Sequence, residues 1–335
     1  MIKVKLSLFA KTAIALASFF IIFSFLPNPL QAADENPGFG YTVGPPVVEY
    51  TAERGQTVNG VVKVNDYSPI EVTLYPQVAD FAAKDETGQP TFYDANPNSK
   101  YSLSSWIKFS EEPVIFAIGE LKAIPYQIVV PEDAEPGGHY GVLFFSTKSP
   151  NNVKEGEAKV VANMKVGQLI LVTVPGEIKT EGIVETFKTK HFWNFFPQVK
   201  YSNEKFFNFS HNIDFITRIQ NVGNVHFKPA GKIEIKNLFG QKVGSEVVNE
   251  IKGNILPDST RKFDNTWKAK WYQFGYFKAN LDLSYGTPEQ SFQDRTGFLI
   301  IPWWLIIIVI LVILLLWRML AKKKKRKKEQ LNNKS

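Results

Sequence analysis

Phe277-Lys278-Ala279-Asn280-Leu281-Asp282-Leu283-Ser284-Tyr285 places an apolar side chain at every odd position and a polar one at every even position. Successive side chains of an extended chain point to opposite faces, so a period of two predicts a strand with one face in a core and one in water. A helix would space its apolar residues three and four apart. The same period recurs along the chain. Ile70, Val72 and Leu74 alternate with Glu71, Thr73 and Tyr75, and Ile213, Phe215 and Ile219 alternate with Asp214, Arg218 and Gln220. Val58, Val62 and Val64 share a face with Gly60, and Ile124, Tyr126, Ile128 and Val130 form another. Turns rich in Gly, Pro and Asn separate these runs, which predicts an all-β exported part built of antiparallel β-sandwiches.

Two runs break the rule. Tyr140–Phe145 and Leu169–Val174 are apolar almost throughout, so both faces of each must be covered. They are read as central strands, or as strands whose outer face meets a neighbouring domain. The second run ends at Pro175–Gly176, where we place a domain boundary: a first sandwich over 39–175 and a second over 177–297. The excursion 82–105, rich in Gly, Pro, Asn and Ser, reads as a loop with one helical turn near residues 101–106.

The two ends of the chain read differently. Lys3, Lys5 and Lys11 precede the uncharged stretch 12–26, followed by Pro27, Pro29 and Ala32–Ala33. That is the order of an export signal peptide, expected over residues 1–33. Residues 298–317 carry no charge. At ~1.5 Å per residue, such a segment spans about 30 Å as a helix, the thickness of a bilayer's hydrocarbon core. Trp303 and Trp304 mark one edge of this expected transmembrane helix and Trp317 the other, where indoles favour the headgroup region. Arg318, Lys322, Lys323 and the rest of the basic tail 318–335 follow at once, which places the tail in the cytoplasm by the positive-inside rule. The expected localisation is therefore a cell membrane, crossed once, with the region before the span outside.

Charge division excludes one partner class. The net charge of +7 belongs to the ends: residues 318–335 hold nine basic groups against Glu329, and residues 1–33 hold three more. The remaining chain is net −4, not the basic folded domain that nucleic-acid binding requires. With no cysteine there are no disulfides, thiolate metal sites or cysteine nucleophiles. His139, His191, His211 and His226 never fall at short metal-ligand spacings, and no G-x-S-x-G, H-E-x-x-H or P-loop pattern occurs. We therefore expect no catalytic, cofactor-binding or metal-binding residues. A glycan-active hydrolase with a carboxylate pair separated in sequence, and a spacer that only displays the first domain, stay open as alternatives.

Two further stretches stand out. In 129–141, Pro131 and Pro136 restrict φ while Gly137–Gly138 permit φ > 0 ahead of an aromatic strand, so the segment reads as a rigid corner with His139 at the start of the strand. The stretch 188–209 concentrates aromatics, among them Phe192, Trp193, Phe195 and Phe196. These four form a candidate interaction patch for a membrane surface or a partner, with core cover as the competing reading.

The corner, with Ser105-Trp106-Ile107, Gly119-Glu120 and Arg54-Gly55-Gln56-Thr57, resembles the amino-terminal domain of the WxL-interacting protein family, which are Gram-positive-type surface proteins. The second domain resembles their Ig-like domain: Arg218-Ile219-Gln220-Asn221-Val222-Gly223-Asn224-Val225-His226 reads as a strand ending in an N-x-G-N-x-H turn, and Pro257-Asp258-Ser259-Thr260-Arg261 and Gly275-Tyr276-Phe277 fit later strands. The resemblance implies two tandem Ig-like antiparallel β-sandwich domains followed by one transmembrane α-helix. It also implies peptidoglycan binding by the first domain and association with WxL-type surface proteins. The matching positions look structural, so no binding residue is carried over.

Overall fold

The computed structural model describes residues 40–94, 99–147, 164–191, 193–194, 211–286 and 289–332. The expected signal peptide and most of the 188–209 stretch lie outside the described residues. Two β-sandwiches are followed by one apolar helix.

In the first sandwich, β1 (Tyr41–Gly44), β3 (Thr57–Asp66), β8 (Leu121–Val129) and β6 (Ile107–Lys108) form one sheet in the order β1-β3-β8-β6. The facing sheet runs β2 (Val47–Thr51), β10 (Lys165–Val174), β9 (Gly137–Ser146), β4 (Val72–Ala83) and β5 (Pro90–Tyr93), with β7 (Val114–Phe116) also paired to β4. Val62, Val64, Ile128, Leu143, Phe145, Ile170 and Val172 meet between the sheets at 0% exposure. Each such burial contributes about 1.5–3 kcal/mol, more than a surface ion pair, so the alternation rather than the charges holds this sandwich together.

The non-alternating run is explained by position. β9 lies between β10 and β4, and its ten residues are buried throughout. Leu143 and Phe145 enter the sandwich core, while Tyr140, Val142 and Phe144 form a second cluster with Ala79, Phe81 and Leu171 on the outer face. Leu256 of the second sandwich packs against that cluster. Both readings of the run hold at once: the strand is central, and its outer face meets the neighbouring unit.

The second sandwich pairs a sheet of β11 (Gly182–Thr189), β13 (His211–Asn221) and β16 (Thr260–Ala269) with a five-stranded one. The latter runs β12 (Trp193–Asn194), β18 (Gln290–Ile300), β17 (Gly275–Tyr285), β14 (Ala230–Asn237) and β15 (Lys242–Val248). The opening stretch is β17, and Phe277, Ala279, Leu281, Leu283 and Tyr285 are all buried.

Three expectations are corrected. The excursion 82–105 is not a plain loop: its first part finishes β4, turns at 84–89 and returns as β5. The helical turn is there, as a short 3-10 turn at Ser104–Trp106. Ile70, expected on a buried face, precedes β4 and is 57% exposed. Residues 298–300 belong to β18 rather than to the expected transmembrane helix, because Phe298 and Ile300 continue the strand's alternation into the core at 0% exposure. Helix α1 (Trp303–Asn332) starts after Pro302, which cannot donate to the ladder but suits a helix start, and it continues through the basic cluster. Its window 304–324 is long and apolar enough to cross a membrane, and among the described residues none of that apolar stretch is buried.

Candidate functional site

The corner and the N-x-G-N-x-H turn, far apart in sequence, meet at the junction of the two sandwiches. Asn221 builds the turn: its Nδ2 donates to the carbonyls of Val225 and Ile255 at 2.9 Å each, and its Oδ1 accepts the Gly223 N–H at 2.9 Å. Gly223 sits against the Lys179 carbonyl so closely that any Cβ would overlap it. Asn224 then ties three segments. Its carbonyl accepts the Gly138 N–H at 2.8 Å, its Nδ2 donates to the Glu177 carbonyl at 2.9 Å, and its Oδ1 accepts the Lys179 N–H at 2.8 Å.

Tyr140 of β9 completes the junction. Its hydroxyl oxygen accepts the His226 N–H at 3.0 Å, and the hydroxyl stands 3.3 Å from His226 Nδ1. Around this buried centre lie polar links: Glu49 with Lys228 Nζ at 2.7 Å and Asn254 Nδ2 at 2.7 Å, and the Tyr101 hydroxyl to Asp258 at 2.8 Å. The β4–β5 tip reaches over to the second sandwich, where Glu86 receives Arg218 through Nε at 2.8 Å and through Nη2, and the Glu86 carbonyl accepts the Lys262 N–H at 2.7 Å. Exposed pairs contribute only ~0–1 kcal/mol each. Alongside the buried Tyr140–His226 bond and the backbone bonds of Gly138 and Lys262 across the junction, they help to fix how the two units sit.

A cleft of about 550 Å³ lies beside this junction. Phe81, Leu169, Leu171 and Leu256 give it apolar walls, and Glu49, Lys228 and Arg261 give it charge. Residues 251–256, the middle of the loop 249–258, form its far wall. Among the described residues Asn249, Lys252 and Asp258 are the non-glycines with positive φ, at 55°, 52° and 56°, and all three lie in this loop. Backbone held in that region costs energy and concentrates at sites where geometry matters more than stability. Here the Asn249 side chain holds it, donating to the Pro229 and Gly253 carbonyls and accepting the Gly253 N–H. The Oδ1 of Asn254 is buried without a partner.

Strand β2 runs along the near rim. Among the described residues it pairs only with β10, in parallel, and the Leu169 N–H to Pro46 and Ala52 N–H to Thr173 bonds turn its even-numbered amides inward. The amides of Val47, Glu49 and Thr51 therefore point away from the sheet along an open edge.

His139, read from the sequence as a structural residue, is 3% exposed, with its ring 4.2 Å from Trp106 and its nitrogens on the carbonyls of Ser102 and Glu135. Among the described residues no group of three or more His, Asp or Glu is placed to hold a metal ion. The candidate patch gains little description: Trp193 pairs its backbone with Leu299, while Phe192, Phe195 and Phe196 lie outside the described residues. Of the residues expected to anchor the chain, Trp303 opens α1, Trp304 donates its Nε1–H to the Trp271 carbonyl at 3.2 Å, and Trp317, Arg318, Lys322 and Lys323 are exposed along the helix.

Burial holds the His226 imidazole below its ordinary value of 6.5, despite the nearby Glu49 carboxylate. Burial pushes Glu49 up, but hydrogen bonds from Lys228 and Asn254 outweigh it and hold that carboxyl below its usual range. The unfolded chain thus takes up a proton at position 226 before the folded one does. Stability is full above the unfolded value and falls as pH drops below it. Between about pH 7 and pH 5, where Glu49 stays ionised, the wild-type chain is expected to lose up to about 1.4 kcal/mol per pH unit more than His226→Gln. Urea midpoints measured across that range check it; parallel slopes would assign the junction no pH dependence through His226.

No family model and no curated protein matches the sequence. Among solved structures, the class 5 fimbriae chaperone CfaA is 14% identical, with 78% of this chain and 99% of that one covered at a TM-score of 0.38. The Escherichia coli chaperone DraB is 10% identical over 78% and 97%, at 0.34. The Acinetobacter baumannii CsuC–CsuE chaperone–tip adhesion subunit complex is 12% identical over 67% and 89%, at 0.33.

Proposed function

We propose that this chain is a non-catalytic, membrane-anchored cell-surface adaptor of the WxL-interacting type. It holds a partner surface protein, and through its first domain cell-wall peptidoglycan, outside a membrane that α1 crosses with the basic tail inside. The observation that carries the partner-binding reading is the open β2 edge beside an apolar-walled cleft between two fixed sandwiches. An extended segment adds to such an edge by main-chain hydrogen bonds and sets alternate side chains into the neighbouring pocket. The buried acceptor on Asn254 and the strained loop 249–258 belong to the same cleft. Charge division, the apolar helix and the order of the parts support the rest.

Thr51→Pro tests it. Thr51 directs its amide outward, so proline removes an edge donor without touching the β10 ladder. The full chain in detergent is expected to retain a surface protein from cells of its own source and to bind purified peptidoglycan. Thr51→Pro is expected to lose at least about tenfold in partner affinity, one or two edge hydrogen bonds' worth, with peptidoglycan binding and thermal unfolding unchanged. Retention of neither ligand by the wild-type chain would overturn the adaptor reading.

A further inference from the structure

The register of the five-stranded sheet brings three separate segments to one end of the second sandwich. Gly275 pairs with Ile300, so the start of β17 lies level with the point where the chain leaves β18 for α1. Asn237 pairs with Phe277, so the β14–β15 turn 238–241 projects past the same end. The β16–β17 connection 270–274 closes there too, since it leads into Gly275.

These segments carry large apolar side chains that the sandwich does not bury. Leu238 is 69% exposed, Phe239 85%, Trp271 63%, Tyr272 51% and Phe274 52%. Phe239 occupies a turn whose geometry is set by Asn237, which accepts the Phe239 and Gln241 N–H groups, so its exposure is imposed by the local fold. The patch is continuous with the helix: the Phe274 ring lies edge-on to Trp304 at 5.5 Å, and Trp304 donates to the Trp271 carbonyl. Lys236, Lys242, Lys270 and Lys278 stand on or beside the same strand ends, with Lys270 Nζ 5.9 Å from the Tyr272 ring.

We infer that this end of the second sandwich docks on the lipid bilayer, inserting Leu238, Phe239, Trp271, Tyr272 and Phe274 into the headgroup region. This rests on α1 being the membrane anchor. Apolar tips ringed by indole, phenol and lysine suit that layer, because it accepts an apolar body and a polar or cationic end together. A protein partner would need no relation to the helix exit, whereas the patch adjoins it and touches the first turn of α1. Two fixed points, the helix and this crown, then hold the ectodomain at a set orientation over the membrane.

The chain has no cysteine, so single cysteines report without background. Phe239→Cys, Glu250→Cys and Leu311→Cys in the full chain, each carrying a polarity-sensitive fluorophore, are reconstituted into vesicles of phosphatidylcholine and phosphatidylglycerol. Position 311 reports on the anchor, position 250 on a solvent-facing turn, and position 239 on the crown. The expected result is strong quenching of 311 by mid-chain spin-labelled lipid and of 239 by lipid labelled near the headgroup. Iodide should quench 239 several-fold less than 250. If 311 lies in the acyl region while iodide reaches 239 as freely as 250, docking is refuted and the anchor stands. If 239 is shielded from iodide yet untouched by labelled lipid, protein rather than lipid covers the crown, and docking again fails. Iodide reaching 311 would remove the anchor and the docking together.

Discussion

Gly137→Val is expected to cost about 4 kcal/mol and to separate the unfolding of the two sandwiches. Gly137 has φ = +131°, a conformation that a β-branched residue enters only at a cost of roughly 1–3 kcal/mol. Strain is half of the effect. A Cβ at this position would stand 2.7 Å from the Asn224 carbonyl oxygen, which is backbone and part of the turn that Asn221 holds rigid. The junction must open to relieve the overlap, and the Gly138 N–H to Asn224 bond is lost with it, adding about 1–1.5 kcal/mol. In the wild-type chain, urea unfolding is expected to show one transition, because the junction couples the two units. In Gly137→Val it should move to lower urea and split in two. A variant with the wild-type midpoint would show that the corner tolerates an ordinary φ.

What the sequence announced was period and punctuation. Alternation in residues such as Phe277 to Tyr285 is visible because burial on one face and water on the other impose it residue by residue. The doubly apolar run 140–145 announced a covered outer face, and the 129–141 and 218–226 stretches stood out through Gly, Pro and Asn positions that a turn demands. What stayed hidden was pairing at long range. Glu49 meets Lys228 across 179 positions and Arg218 meets Glu86 across 132, and a lone charge in a strand carries no mark of its partner. The β4–β5 turn looked like loop for the same reason, since its tip is polar in order to reach another domain. The segment 298–300 was ambiguous on physical grounds: apolar residues suit a sandwich core and a bilayer alike, and its pairing with Gly275, Tyr276 and Phe277 assigns it to the strand. The crown around the helix exit was illegible because Leu238, Phe239, Trp271 and Phe274 adjoin only through sheet register.

Asp80→Ala is expected to be the other severe substitution, at about 3–4 kcal/mol, through a carboxylate that no motif marks. Asp80 lies in β4 at 0% exposure. Its Oδ2 accepts the Ser102 hydroxyl at 2.7 Å, and its Oδ1 accepts the Leu103 and Ser104 N–H groups at 3.0 and 2.8 Å. The carboxylate thus starts the 3-10 turn, which has no side-chain cap of its own. Alanine leaves three buried donors without acceptors, at about 1–3 kcal/mol each before relaxation, and partial escape to water brings the sum down to the expected value. The effect reaches the junction. The turn positions Tyr101, which bonds Asp258 of the second sandwich, and Ser102, whose carbonyl holds His139. Asp80→Asn keeps an acceptor for the two amides and should lose only about 1 kcal/mol. Urea unfolding of both variants decides the matter. Equal losses would mean that negative charge, not hydrogen bonding, is what the turn requires, and a neutral Asp80→Ala would show that the segment 102–104 folds without β4's help.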